Sequence, residues 1–234
     1  MFSNIQVFPD RPSLISAALQ RCVQCAQQAG ALFTMAVAGG NTPKPLYQAL
    51  ADVDGIDWHK WHIFFGDERF VPPTDPHSNF RMVTEAWLSH GKIPASNIHP
   101  MPTEGDPATC ASAYDRHLRQ FWQLGETEMP QLDLILLGMG DDGHTASLFP
   151  FTPALTVVDR AVTVGEKDGQ PRLTLTVPAI NNAKAIIFLV EGATKAQALK
   201  QVFSASANAH EFPARLIDPK ALWLVDRACA SLLD

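Results

Sequence analysis

The segment Leu137-Gly-Met-Gly-Asp-Asp-Gly-His-Thr-Ala-Ser-Leu-Phe-Pro holds the densest chemistry in the chain. Asp141 and Asp142 precede His144, and glycines surround all three. An imidazole that titrates near neutrality can take a proton from water when a neighbouring group fixes its ring. Asp142 is close enough in sequence to orient either His144 or the loop amides. A second segment, Ala36-Val-Ala-Gly-Gly-Asn-Thr-Pro-Lys-Pro, brings Gly39, Gly40, Asn41 and Thr42 to a helix start. Unpaired backbone N–H groups there, beside glycines that permit close approach, form an anion cradle. Thr42 before Pro43 fits an N-cap followed by proline at the first helical position. The pattern is neither a Walker loop nor GxGxxG, so nucleotide binding is not indicated. Gly66-Asp-Glu-Arg then offers Asp67 and Glu68 as carboxylates and Arg69 as a cation. Arg172 and Lys195 are two more cations, each suited either to a phosphate clamp or to a solvated surface.

These groups need elements to hold them. Short apolar runs alternate with helix-period segments along the chain. Strands are expected over 32–37, 61–65, 132–137, 185–190 and 221–225, with β runs over 156–164 and 172–177. Helices are expected from Pro45, over 79–90 with Gly91 as terminator, over 107–124 and over 194–203. The β-α-β-α order predicts one α/β domain spanning 1–234 in three layers, with helices on both faces of a mostly parallel, Rossmann-like sheet. The paired β runs after residue 155 predict a small mixed or antiparallel addition. Four of the strands lead into glycine: Gly39-Gly40, Gly66, Gly138-Met139-Gly140 and Gly192. In open parallel sheets ligands bind at the carboxyl ends of strands, so these ends nominate one shared site.

Composition bounds the partner. The 234 residues carry 18 Lys+Arg against 24 Asp+Glu, a formal charge of −6, which argues against a nucleic-acid or anionic-membrane binder. The five tryptophans have no interleaved basic residues of the kind a base-stacking surface uses. No apolar run is long enough for a membrane span, and the N-terminus shows no secretory pattern, so a cytoplasmic protein is expected. Four cysteines give no disulfide framework. Cys22 and Cys25 fall on a helical apolar stripe over 14–29, which reads as packing with both thiols facing the core. His59 and His62, spaced HxxH, lack a recognisable third ligand, so no metal is expected there.

Taken together, AVAGGNTPKPLY, FFGDERFVPPTDPHSNFRM and DLILLGMGDDGHTASLFP resemble the 6-phosphogluconolactonase family, in its order and at its usual separations. Arg172-Leu-Thr-Leu-Thr-Val-Pro and Gly192-Ala-Thr-Lys195-Ala extend the resemblance over nearly the whole chain. The resemblance implies hydrolysis of 6-phospho-D-glucono-1,5-lactone to 6-phosphogluconate in the oxidative pentose phosphate pathway, with no cofactor and no metal. It implies that His144 activates water, that Asp142 holds His144, and that Asp67 contacts sugar hydroxyls or supports the base. It assigns the 6-phosphate to Gly39, Gly40, Asn41 and Thr42 with Arg69, Arg172 and Lys195. The implied partner is a phosphorylated sugar lactone, and a monomer is favoured.

Three departures stand out. Asn41 replaces a common serine, Asp141 a common proline, and Phe151 a usual glycine, so the last turn is expected to differ. The rival on the same fold is an amino-sugar phosphate deaminase or isomerase. In those enzymes a glutamate follows the corresponding histidine by five positions; here Phe149 stands there and cannot titrate. A second rival is a non-catalytic sugar-phosphate sensor, which usually carries a DNA-binding module; no helix-turn-helix or basic patch is evident.

Overall fold

The computed structural model describes residues 4–233. In chain order its elements are β1 (Ile5–Phe8), α1 (Arg11–Gln28), β2 (Phe33–Val37), α2 (Lys44–Ala51), β3 (Trp61–Phe65), β4 (Asp67–Arg69), α3 (Asn79–Ala86) and α4 (Pro107–Trp122). There follow β5 (Leu134–Leu137), β6 (Val162–Lys167), β7 (Gln170–Leu175), α5 (Val177–Asn181), β8 (Ala185–Val190), α6 (Ala196–Phe203) and β9 (Leu222–Asp226). Side chains start three helices: Asp10, Ser78 and Asp106 accept the backbone N–H of Ser13, Arg81 and Thr109, and for α3 and α4 the start is the expected one.

Six strands pair in the order β1-β9-β8-β5-β2-β3, and every pairing is parallel. All residues of β2 and β5 are buried, which explains why β5 reads as an unbroken apolar run and β2 as one interrupted only by Thr34. From β2 the chain moves outward to β3; from β5 it moves the other way to β8 and β9. Right-handed crossovers in opposite directions put their helices on opposite faces. The direction therefore reverses between β2 and β5, which opens a crevice at their carboxyl ends.

The expected β addition is a separate, wholly antiparallel sheet of order β4-β7-β6. Gly66 joins the two sheets. Its N–H donates to Val37 O at the end of β2, and its own carbonyl accepts from Leu175 N–H at the end of β7. The small sheet has two contrasting faces because side chains alternate along a strand. Val162, Val164, Leu173 and Leu175 share one face; Asp67, Arg69, Arg172 and Thr174 share the other. α4 packs against β6 and β7.

Several boundaries differ from expectation for identifiable reasons. Helix α2 begins at Lys44, and Pro43, not Thr42, holds its cap position without a side-chain cap. The helix expected over 79–90 breaks at Trp87, whose buried indole packs against Tyr47, Trp58 and Trp61. A 3₁₀ turn then runs Leu88–His90 and ends at Gly91 with φ 71°. Residues Pro153–Thr156 form another 3₁₀ turn, so the first β run starts only at Val162. Of the paired cysteines, Cys22 is buried as expected, whereas Cys25 is only partly so. β1, an edge strand with an exposed middle, has no strong sequence signal. No helix among the described residues is long and apolar enough to cross a membrane.

Candidate active site

A crevice of about 370 Å³ opens where β2, β3, β5 and β8 end. Nine of the ten nominated residues line it: Gly39, Gly40, Asn41, Thr42, Asp67, Arg69, His144, Arg172 and Lys195. The tenth, Asp142, stands behind His144. All four glycine-marked strand ends therefore contribute to one cavity.

The loop after β5 is folded by its own backbone. Gly140 N–H donates to His144 O, Gly143 N–H to Gly140 O, and Thr145 Oγ1 to Gly138 O. These bonds commit the Gly140 and Gly143 amides to the loop, removing both as donors to a reacting oxygen. Asp142 Oδ1 accepts twice from His144, from ring Nδ1 at 2.5 Å and from the backbone N–H at 3.0 Å. The choice left open by the sequence is thus resolved: one carboxylate holds both the ring and its backbone. A neutral imidazole donating through Nδ1 keeps its lone pair on Nε2. Burial pushes the Asp142 carboxyl up, but the His144 hydrogen bonds and charge, with Lys167 added, hold it well below the usual carboxylate range.

Phe149 is buried against this pair, its ring 4.5 Å from the His144 ring. The Arg172 guanidinium and the Lys167 ammonium lie over the same ring at 5.3 and 5.4 Å. Lys167 reaches this place because Arg172 pairs with Gly165, two residues before it, which puts both cations on one face of the hairpin. Nothing in the sequence alone distinguished Lys167 from a surface lysine.

Asp67 is fixed by two residues that sequence reasoning did not nominate. Ser147 Oγ donates to Asp67 Oδ2 at 2.7 Å, and Asn79 Nδ2 donates to Asp67 O and Oδ1 at 2.9 and 3.3 Å. Asn79 also packs on the Gly39 turn: a Cβ on Gly39 would stand 1.9 Å from Asn79 Oδ1. Glycine at position 39 is therefore required by the close approach of Asn79.

Arg69 and Arg172 are directly opposed on the β4–β7 ladder. Like charges so placed destabilise a sheet. Arg69 Nη1 donates to His77 O, while Nε of both arginines is buried without a partner. Burial, and then the charge of Arg69, pushes the Arg172 guanidinium below its ordinary value. Two paired cations with buried unused donors form an anion-binding arrangement. Glu191, also on the crevice wall, is held by Arg11 through hydrogen bonds to both carboxylate oxygens.

Away from the crevice, His62 belongs to a row rather than to a ligand set. His62 Nδ1 meets His99 Nε2 at 3.1 Å, and His99 Nδ1 meets His117 Nε2 at 2.9 Å. His99 spends both ring nitrogens on its neighbours, so the three cannot converge on one ion. No group of three or more His, Cys, Asp or Glu able to hold a metal occurs among the described residues.

Residues 9–225 match the family of glucosamine-6-phosphate isomerases and 6-phosphogluconolactonase. A 6-phosphogluconolactonase of Nostoc sp. is 48% identical over 239 residues, covering 100% of this chain and 99% of its own. One from Synechocystis sp. is 54% identical over 197 residues, covering 83% and 82% of the two chains. Among solved structures, 6-phosphogluconolactonase from Trypanosoma cruzi superposes with a TM-score of 0.86 at 27% identity, over 98% of this chain and 96% of that one.

Proposed function

The chain belongs to the family of glucosamine-6-phosphate isomerases and 6-phosphogluconolactonase, and from that premise we propose that it hydrolyses 6-phospho-D-glucono-1,5-lactone to 6-phosphogluconate. The observation that carries the reading is that one crevice is lined both by His144, held by Asp142, and by Arg69 and Arg172. A base and an anion anchor thus share a space that suits a small phosphorylated sugar.

In the proposed reaction, His144 Nε2 takes a proton from water as the water oxygen attacks the lactone carbonyl. Asp142 keeps the ring oriented and stabilises the imidazolium that forms. The tetrahedral intermediate then collapses, the ring C–O bond breaks, and His144 returns its proton to the departing ring oxygen. The products are a free hydroxyl and a carboxylic acid on one open chain, and the acid ionises by releasing its proton to solvent. The 6-phosphate, held by Arg69 and Arg172 with Lys195 and the Gly39–Thr42 turn, anchors the substrate far from the reacting carbon. Asp67, braced by Ser147 and Asn79, faces the sugar hydroxyls. The route through His144 uses no metal.

Phe149 favours this reading over sugar-phosphate deamination. A buried phenyl ring sits against His144, where the rival chemistry handles protons with a carboxylate. Residues 1–234 act as one domain in this reading, and the four free cysteines suit a reducing, cytoplasmic setting.

The test is hydrolysis of 6-phosphogluconolactone, corrected for its spontaneous rate, with and without a chelator. Wild type accelerates it under both conditions, while His144→Ala loses about 10²–10⁴-fold in kcat and still binds 6-phosphogluconate. No acceleration by wild type ends the lactonase reading. Incubation with glucosamine 6-phosphate releases no ammonia.

A further inference from the structure

Glu68 lies between two crevice residues, Asp67 and Arg69, yet does not line the crevice. Alternation along β4 turns its side chain to the opposite face of the small sheet. It is 2% exposed, and no basic group pairs with it among the described residues. Burying a carboxylate costs several kcal/mol unless its oxygens are filled. Here they are filled by one short segment. Oε1 accepts from the N–H of Arg69 at 2.8 Å and of Asn79 at 2.7 Å. Oε2 accepts from the N–H of Phe80 at 2.7 Å and from Ser78 Oγ at 3.2 Å.

Three of these four donors belong to the residues that open α3. The carboxylate therefore closes the loop from Phe70 to His77, tying its far end back to the strand where it starts. Two contacts at that closure also reach the crevice side. Asn79 donates to Asp67 and packs on Gly39, and His77 O accepts from Arg69 Nη1. The same closure thus bears on Arg69 and on the glycine turn after β2, while Asp67 keeps an independent brace in Ser147.

We infer that Glu68 is a positioning residue for the anion subsite, setting Arg69 and the Gly39–Gly40 turn through the start of α3. This inference rests on the proposed lactonase reading for its substrate, but not for its anion. Burial raises the Glu68 carboxyl above its ordinary value; the three backbone N–H donors oppose that rise without cancelling it, and two of them come from the α3 junction. A neutral amide at this place keeps the shape and turns an N–H₂ group toward a donor, which loosens the junction.

The experiment compares full-length wild type with Glu68→Gln on two lactones, one with and one without the 6-phosphate, and titrates inorganic phosphate and 6-phosphogluconate by calorimetry. We expect Glu68→Gln to raise KM for the phosphorylated lactone about tenfold with kcat within twofold. The unphosphorylated lactone, which does not use the anion subsite, is hydrolysed as by wild type. Phosphate affinity falls by a similar factor. Equal KM values overturn the inference, and so does an equal loss on both lactones, which marks general loss of structure. If Glu68→Gln does not fold, Ser78→Ala removes one donor to Oε2 and gives a smaller KM rise; an unchanged KM there overturns the inference too. If wild type accelerates neither lactone, the lactonase reading fails by itself. The calorimetry then decides alone, and equal phosphate affinities reject the role of Glu68.

Discussion

A Cβ at position 140 would stand 2.1 Å from His144 Nδ1 and 2.5 Å from Asp142 Oδ1. Gly140→Ala therefore separates the pair without altering either member. We expect a fall in kcat of about 10²-fold, the range that a misplaced base accounts for, with KM little changed. Steady-state kinetics of the purified variant checks this. Phe151 makes the opposite kind of case. This residue has a left-handed backbone, φ 57°, although it is a phenylalanine, and it is 69% exposed. A bulky residue there costs about 1–2 kcal/mol, of which glycine's larger unfolded-state entropy returns part. Phe151→Gly is expected to stabilise the protein by about 0.5–1 kcal/mol, a rise of roughly 1–4 °C in Tm. Thermal denaturation measures it, and activity remains as in wild type.

At the scale of elements, legibility followed how locally each signal was written. β2, β3, β5 and β8 were readable because buried parallel strands are mostly apolar, with Thr34 in β2 and His62 in β3 as exceptions, and each ends in or near glycine. Thr156, Val157 and Val158 read as strand because they are β-branched, but Val158 is exposed and the residues belong to a turn and loop. The site was legible wherever glycine and charge were neighbours in sequence. Ser147 and Asn79 were missed because their partner, Asp67, lies 80 and 12 residues away. The histidine row was hidden for the same reason, since β3, the loop before α4 and α4 itself supply one ring each. It carries a prediction of its own. Burial, then the charges of His117 and His62, lowers the His99 pKa from 6.5 to about 4. Between those values the unfolded chain binds a proton that the folded one does not, so stability falls as pH drops through this window. In urea titrations at pH 7 and pH 5, His99→Gln should lose less stability on acidification than wild type.

Over the whole molecule, a net charge of −6 repels a dianion while the crevice attracts it. Salt screens both, and the sign of its effect on KM says which governs binding. In the proposed complex the arginines are nearest the 6-phosphate, so we expect KM for the phosphorylated lactone to rise with added sodium chloride. A falling KM would give the global charge the larger role. The opposed arginines have another consequence, one for the folded state and not for the reaction. Two cations facing each other across a ladder, each with a buried donor unused, leave the free protein incompletely satisfied. An anion between them acts as a missing piece of the small sheet. Ligand and fold are then linked by mass action, and a hundredfold excess over Kd adds about 2.7 kcal/mol to stability. Arg172→Gln should raise the melting temperature of the ligand-free protein and diminish the further rise that 6-phosphogluconate brings. In that sense a bound anion would be a guest that finishes its own host, and the lifetime of the folded chain would follow the supply of that ligand.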